Sequence, residues 1–336
     1  MLCRSVPVDW SSAEKSSMRV LAFLLSAPFI QVAALFFAIL WMIRDQKDKV
    51  RPLLVMALTI NLFYGILLSI FMGAEGGLMP WKYDAILWQL DAALGVPTQA
   101  LARALQGTWR GPLSTMYQLM IPMMIGWFLV VRRSGRAGAL VLAYVAELVT
   151  GPLLYAVVPA CGPVYAFKAD WLQVVAPTAK LIRLPGMPNA FPSLHIATAM
   201  VLLLFAPGRW WRAAGGVFFT VTALATVATG EHYILDLVPG VAFGCFAALA
   251  GVRRFRSALG LLSLTLSWSL LVRLEFSWLI AHTVALRILV AITLLTAMAV
   301  VARFWRPITA TQRCAELEAI SAEGPEQPPP VHMARP

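Results

Sequence analysis

The sequence has little charge and few cysteines. Only 13% of the 336 residues are Asp, Glu, Lys or Arg, whereas 60% are hydrophobic. A soluble domain of this length cannot bury so much apolar surface, so this composition excludes an ordinary soluble protein. The four cysteines are scattered and form no Cys-x-x-Cys pair, and they therefore indicate neither a zinc-binding cysteine set nor a disulfide framework.

The hydrophobic residues are grouped in long blocks. Blocks of about 18 or more apolar residues are typical of membrane spans, and a spanning chain satisfies its backbone hydrogen bonds by forming helices. We therefore predict an all-α, polytopic integral membrane protein with about nine transmembrane helices, within a range of six to nine. The predicted spans are roughly 19–43, 53–72, 113–131, 137–158, 193–206, 213–229, 232–250, 257–272 and 282–302.

The net charge of +11 comes from short basic connections that alternate along the chain. Lys and Arg collect in cytoplasmic loops, so the basic connections are predicted to be cytoplasmic and the less basic connections that alternate with them to lie on the outer face. This arrangement predicts an outside N-terminus and an inside C-terminus. No basic run is interleaved with stacking aromatic residues, and we expect no nucleic-acid partner. The basic connections are 44–51, 132–136, 208–212 and 253–256.

The chain is predicted to have five parts, and two of its outer connections are long. Residues 81–106 have helical periodicity and predict one or two helices that lie in the membrane interface, while the Pro- and Gly-rich residues 159–192 must cover protein or line a cavity. The five parts are a polar N-terminal segment (1–18), flanking spans with interfacial helices (19–112), a catalytic membrane core (113–272), a last span (273–306) and a disordered cytoplasmic tail (307–336).

Two polar stretches interrupt this apolar background. NAFPSLHIATAM (189–200) places Ser193 and His195 at the start of the fifth predicted span, and GEHYILDLVPG (230–240) places His232 and Asp236 at the start of the seventh. A helical hairpin lies between them. Because each arm of about 17 residues rises about 25 Å, the hairpin can return His232 to the membrane depth of His195.

These residue types suit phosphoryl chemistry. If the seventh helix has begun at His232, Asp236 lies on the same helical face and can fix the imidazole tautomer, which leaves the other nitrogen free as a base or nucleophile. Ser193 follows Pro192 at a helix N-terminus, where free N–H groups favour a phosphate. Other readings stay open: a helix cap at Ser193, a structural His232–Asp236 pair, a zinc site formed with His195, or a hydrolase with Ser193 as nucleophile.

PSLH at 192–195, followed after one hairpin by GEHYILD at 230–236, resembles two of the three signature motifs of the type 2 phosphatidic acid phosphatase superfamily. The resemblance implies a six-helix membrane core and a lipid phosphatase or phosphotransferase. It also implies that His232 forms a phosphohistidine and Asp236 orients it. His195 would protonate the leaving oxygen, and Ser193 would bind phosphate oxygens.

The chain departs from the superfamily in its first motif, a Lys and an Arg-Pro pair shortly before the PSLH motif. Similar spacing occurs only at Arg44 to Arg51, far upstream and on the predicted cytoplasmic face. A phosphate needs cations, and Lys180 and Arg183 are the best substitutes, with Lys168 behind them. Interfacial anchoring is the alternative role for these side chains.

The missing motif, together with Gly162, Pro163 and Tyr165 in a predicted substrate loop, resembles the inositol phosphorylceramide synthase branch. This resemblance implies transfer of a phosphate or phospho-headgroup from a phospholipid or phosphorylated lipid donor to a lipid alcohol, with no metal or cofactor. The competing functions are a lipid-phosphate or polyprenyl-pyrophosphate phosphatase and a non-catalytic transporter or scaffold. We expect an integral protein of a bacterial inner membrane, with its site facing the periplasm or the outside.

Overall fold

The structure is a computed structural model that describes residues 76–96, 98–105, 107–168, 171–173, 175 and 177–305. The predicted spans at 19–43 and 53–72, the N-terminal segment 1–18, the tail 307–336 and the Arg44 to Arg51 spacing lie outside these residues. The described part is mostly helical and contains one short two-stranded sheet.

Most helices follow one another with short connections, but a long segment that contains β2 separates α6 from α7. The strands β1 (Trp81–Lys82) and β2 (Ile182–Arg183) pair in an antiparallel register, with Trp81 opposite Arg183. The helices are α1 (Asp84–Leu94), α2 (Thr98–Leu105), α3 (Arg110–Gln118), α4 (Met120–Val131), α5 (Ala137–Val157), α6 (Pro163–Phe167), α7 (Leu194–Phe205), α8 (Gly208–Thr229), α9 (Ile234–Gly251), α10 (Phe255–Leu274), α11 (Phe276–Ala281) and α12 (Thr283–Phe304).

The membrane-protein prediction is confirmed. Among the described residues, five helices are long and apolar enough to cross a membrane, namely α5, α8, α9, α10 and α12, and a bent pair raises the number to six. Helix α7 has 12 residues, which gives it a length of only about 18 Å at 1.5 Å per residue. It is too short to span a bilayer alone, but almost all of its residues are buried within the bundle.

The predicted span at 113–131 is broken in the structure. Residues 107–118 and 120–134 form two helical segments that meet at an angle of 56°. Pro122 lies in the first turn of α4, and a proline ring clashes with the carbonyl four residues earlier, here that of Gln118. The helix therefore ends before the proline, and α4 begins again in a new direction.

Helix α9 is the centre of the bundle and packs against α5, α7, α10 and α12. Its approach to α7 depends on Gly240 and Gly244, which are spaced by four. A Cβ at Gly240 would lie 2.7 Å from the carbonyl oxygen of Ser193, and one at Gly244 would lie 2.5 Å from that of Ala197. Small residues at this spacing allow two membrane helices to pack backbone to backbone, and here they hold the start of α7 beside the start of α9.

Helices α1 and α2 occupy the predicted interfacial segment 81–106. Two helices are present, but α1 is more buried than a helix lying on a membrane surface would be. It packs against α6, α9, α11 and α12 and buries seven residues, including the carboxylates Asp84 and Asp91. This layer covers the end of the bundle at which α7 and α9 begin.

Candidate active site

His195 and His232 lie close together at one end of the bundle. His195 is the second residue of α7, and His232 lies in the loop between α8 and α9. Their ring centroids are 5.9 Å apart at an interplanar angle of 64°. His232 is only 2% exposed, whereas His195 is half-buried. One phosphate group could therefore contact both rings, and the hairpin α7–α8 returns the chain to the depth predicted from its length.

Ser193 holds the two polar stretches together. Its Oγ accepts a hydrogen bond of 3.4 Å from the amide of Ile196, which makes it the N-cap of α7. Its own amide donates to the backbone carbonyl of Asp236 at 3.1 Å. No hydrogen bond joins the Ser193 hydroxyl to His232 in the described part of the chain, so the arrangement expected for a serine hydrolase is not formed.

The tautomer of His232 is set by a backbone carbonyl. Nδ1 lies 2.8 Å from the carbonyl oxygen of Ala190. A carbonyl only accepts, so Nδ1 carries the proton and Nε2 keeps its lone pair. Burial lowers the pKa of His232 from 6.5 to about 4, and the bond to Ala190 opposes this shift. His232 is therefore neutral at pH 7, as a nucleophilic imidazole must be.

Asp236 contacts His232 differently from the helical pairing that the sequence suggested. Helix α9 begins only at Ile234, so His232 lies before the helix and the two residues do not share a helical face. Asp236 Oδ2 is 3.5 Å from His232 Nδ1 and accepts a bond of 2.8 Å from the Tyr233 amide, which completes a capping box. Its Oδ1 is buried and makes no hydrogen bond to the described residues.

The zinc alternative would use the same three residues. No group of three or more His, Cys, Asp or Glu side chains within the described ranges is placed to hold a metal ion. The carboxylate of Asp236 is directed to the Tyr233 amide, and the Nδ1 atom of His232 is directed to a carbonyl. These contacts organise the loop around the neutral imidazole.

Two carboxylates of α1 fix the loop that carries His232. Asp84 accepts hydrogen bonds from the amides of Cys161 and Gly162 and from the hydroxyl of Tyr233, at 2.8–3.1 Å. The side chain is fully buried, and burial raises the pKa of Asp84 to about 6 despite these donors. Asp84 therefore joins the residue next to His232 to the predicted substrate loop.

Asp91 caps α9 from outside the helix. It accepts bonds of 2.9 Å from the Ile234 amide and 2.8 Å from the Leu235 amide, and the Thr98 hydroxyl also donates to it. Burial raises the pKa of Asp91 to about 7. Asp91 therefore occupies the first amides of α9. Of the two helix N-termini next to the histidines, that of α7 remains available to bind a phosphate.

The predicted substrate loop packs directly on the His232 loop. Gly162 has a φ of 90°, and a Cβ there would lie 2.1 Å from the carbonyl oxygen of Glu231. Pro163 is the buried first residue of α6. The Tyr165 hydroxyl donates to Glu231 Oε1 at 3.0 Å, and burial raises the pKa of Glu231 to about 7. Gly162, Pro163 and Tyr165 therefore lie beside the site.

The two cations predicted to bind phosphate do not contact the histidines. Lys180 and Arg183 are both exposed, and no hydrogen bond or ion pair of the described residues joins either one to His195 or His232. Arg183 lies in β2, whose partner strand contains Lys82. Lys82 is fully buried, its Nζ donates to the carbonyl of Met79 at 2.5 Å, and its charge lowers the pKa of Asp84.

Several side chains that surround or support the two histidines were not identified from the sequence. Asp84 and Asp91 are spaced by seven, so they share a helical face, and this spacing was a usable signal. Tyr117, which stacks on His195 with ring centroids 4.0 Å apart, had no such signal. The Thr198 hydroxyl donates to Glu147 at 2.5 Å, one turn below His195, and this pairing joins two segments far apart in the chain.

Comparison with known proteins agrees with this geometry. Residues 85–250 match a family model described as PAP2 superfamily. The matched range includes α1 except its first residue, Asp84, and it includes Asp91, the predicted substrate loop and both histidines. No curated protein and no solved structure matches the chain significantly. Enzymes of this superfamily are phosphatases and phosphotransferases that act on phosphorylated lipids in membranes. Residues 85–250 therefore form a PAP2 superfamily enzyme domain, within a chain whose long apolar helices are those of an integral membrane protein.

Proposed function

We propose that the protein is a lipid phosphotransferase that acts through a phosphohistidine on His232. It would take a phosphate or phospho-headgroup from a phospholipid or phosphorylated lipid and pass it to a lipid alcohol. The observation that carries the proposal is the state of His232, which is buried, neutral and protonated on Nδ1, and which faces a second histidine. The free Nε2 is the nucleophile.

The reaction has two displacements. Nε2 of His232 attacks phosphorus and the bond from phosphorus to the lipid oxygen breaks. His195, which takes up a proton when the negatively charged phosphate lies beside it, gives that proton to the departing oxygen. His195 is then neutral and removes the proton of the incoming alcohol, whose oxygen attacks the phosphohistidine and releases His232. The Ala190 carbonyl stabilises the Nδ1 proton throughout, and Asp236 stabilises the positive charge that develops on the ring.

The phosphate is held by the start of α7. The first amides of a helix have no intrahelical partner and carry a partial positive charge. Ser193 forms this helix start, and the amides of Leu194 and His195 follow it. We propose Lys180 and Arg183 as cations that approach the phosphate from the exposed strand β2 when substrate is bound. Lys82, on the paired strand, adds a buried positive charge beside Asp84.

Two observations favour an alcohol over water as the acceptor. His232 is only 2% exposed, so bulk water does not contact it freely. The loop with Gly162, Pro163 and Tyr165 covers the His232 loop and bonds to Glu231. This loop is also the feature that resembles the inositol phosphorylceramide synthase branch. The second candidate, a lipid-phosphate or polyprenyl-pyrophosphate phosphatase, shares the first displacement and differs only in its acceptor.

The test uses the purified full-length protein in detergent with labelled phospholipids and phosphorylated lipids, each with and without a lipid alcohol. His232→Ala should abolish all activity. His282→Ala is the matched control, because His282 is exposed and stacks on Trp278 away from the site. Label in a new lipid only when the alcohol is present supports transfer, whereas free phosphate without an acceptor supports the phosphatase. Equal activity of His232→Ala and the native protein would overturn the phosphohistidine.

The role of His195 has its own test. General acid catalysis contributes roughly 10²–10⁴-fold, so His195→Ala should lose about that factor with an alkyl leaving group. A donor whose leaving group is a nitrophenol needs little protonation, and with it the loss should be much smaller. An equal loss with both donors would show that His195 does not protonate the leaving oxygen.

A further inference from the structure

Three arginines converge at the end of the bundle opposite the histidines. Arg136 precedes α5, Arg212 lies in the second turn of α8, and Arg254 precedes α10. The Arg136 guanidinium contacts the rings of both Phe205 and Phe304, at 4.8 and 4.7 Å from their centroids. Phe205 ends α7, so this arginine cluster, defined as Arg136, Arg212 and Arg254, lies about one α7 length, roughly 18 Å, from His195.

The cluster has no acidic partner among the described residues. Burial, together with the charges of Arg212 and Arg254, lowers the pKa of Arg136. The Nε of Arg212 is buried and has no hydrogen-bond partner in the described part, although its guanidinium lies 5.0 Å from the Trp305 ring. The described acids are all at the histidine end or in the middle of α5: Asp84, Asp91, Glu147, Glu231, Asp236 and Glu275.

The surrounding backbone adds to the positive potential. Helices α5, α8 and α10 all begin at this end, and helix N-termini carry a partial positive charge and free amides. The excess of basic residues in cytoplasmic loops explains why arginines occur here. It does not explain why three of them converge, with two of them against aromatic rings and one buried donor unpaired. Such an arrangement is complementary to an anion.

We propose that the arginine cluster binds the phosphate group of an anionic phospholipid. Arginine matches phosphate with two parallel N–H donors. An apolar groove for a lipid chain lies at the same end of the bundle, with a cavity volume of about 470 Å³. Trp210 and Trp211 are exposed, at 74% and 42%, as interfacial tryptophans are. The groove is lined by Leu129, Val130, Arg133, Ser134, Pro207 and Trp211.

The experiment measures phosphatidylglycerol binding to the full-length protein in phosphatidylcholine nanodiscs. Every variant also carries His232→Ala, so that no lipid is consumed at the active site. The test variant is Arg136→Gln with Arg212→Gln. The control is Arg209→Gln with Arg256→Gln, which removes the same charge from exposed arginines of the same end. Unfolding temperatures in phosphatidylcholine alone confirm that both variants fold.

We expect the dissociation constant for phosphatidylglycerol to rise about tenfold or more in the test variant, since each lost charged hydrogen bond accounts for about that factor. The control should change less than about twofold. Equal losses in both variants would reduce the cluster to a non-specific basic surface and overturn the proposal. Inorganic phosphate is the second probe: if it displaces the lipid and binds as tightly, the ligand is a free phosphate and the lipid assignment is wrong.

Discussion

The dependence of the site on Asp91 gives the most direct test of the fold around it. Asp91 belongs to α1, yet it bonds the amides of Ile234 and Leu235, which are the first two residues of α9. The change Asp91→Ala removes both acceptors and the partner of the Thr98 hydroxyl. The Leu235 amide is buried, and the next buried carboxylate, Asp236, is already bonded to Tyr233.

The expected loss in the free energy of unfolding follows from these contacts. The Ile234 amide keeps a bond of 3.3 Å to Thr98 Oγ1, whereas the buried Leu235 amide and the Thr98 hydroxyl lose their acceptor. A buried donor left without a partner costs about 1–3 kcal/mol, so these two donors give about 2–6 kcal/mol. The small cavity beside Trp88, Asp91 and Tyr233 has a volume of about 20 Å³, and the space of the deleted carboxylate adds to it. A water entering there would bring the cost toward the lower end. Asp91→Asn keeps one acceptor and should cost about 1–2 kcal/mol.

The assay is thermal unfolding of the purified protein in detergent, followed together with lipid turnover. One kcal/mol corresponds to about 2–4 °C for a domain of this size, so Asp91→Ala should lower the midpoint by about 4 °C or more and Asp91→Asn by less. Glu275→Ala is the control, because Glu275 is exposed and should change the midpoint by about 1 °C at most. A midpoint of Asp91→Ala within that control range would refute the capping role of Asp91.

Four further outcomes are expected. Because His232 must be neutral to attack and its pKa in the free protein is lowered to about 4, kcat/KM should persist down to about pH 5 and fall as the pH drops through 4; a fall centred near 6.5 would contradict this. The pKa of Glu231 is raised to about 7, so the folded protein holds a proton that the unfolded chain releases above pH 4.5. The unfolding midpoint of the native protein should therefore decline between pH 5 and 7 relative to Glu231→Gln, and parallel profiles would show that Glu231 is not protonated by burial. Gly162→Ala should lose activity and several kcal/mol of stability, since its φ is 90° and its Cβ would contact the Glu231 carbonyl; activity within twofold of native would mean that the loop shifts freely. Tyr165→Phe should cost only about 0.5–1.5 kcal/mol, measured by the same thermal assay, and a larger loss would indicate a role beyond its bond to Glu231.

The sequence predicted the helices well where their apolar blocks were continuous. The spans expected at 137–158, 213–229, 232–250 and 257–272 correspond to α5, α8, α9 and α10. The block at 113–131 was predicted as one span because hydropathy does not register the effect of Pro122 on the preceding turn. The burial of α1 was not predicted, because three of the helices that cover it, α9, α11 and α12, come more than 100 residues later in the chain.

The sequence by itself determined the class of the protein and the pairing of its two polar stretches. Apolar block length restricts the chain to membrane-spanning helices, and a hairpin of two arms must bring His195 and His232 to one face. The tertiary structure decided how those residues are held. The proton on His232 Nδ1 is fixed by the carbonyl of Ala190, 42 residues earlier, and α9 is capped by Asp91, more than 140 residues earlier. Hydrogen bonds of this kind depend on the path of the whole chain and leave no periodic pattern, so only the folded protein reveals them.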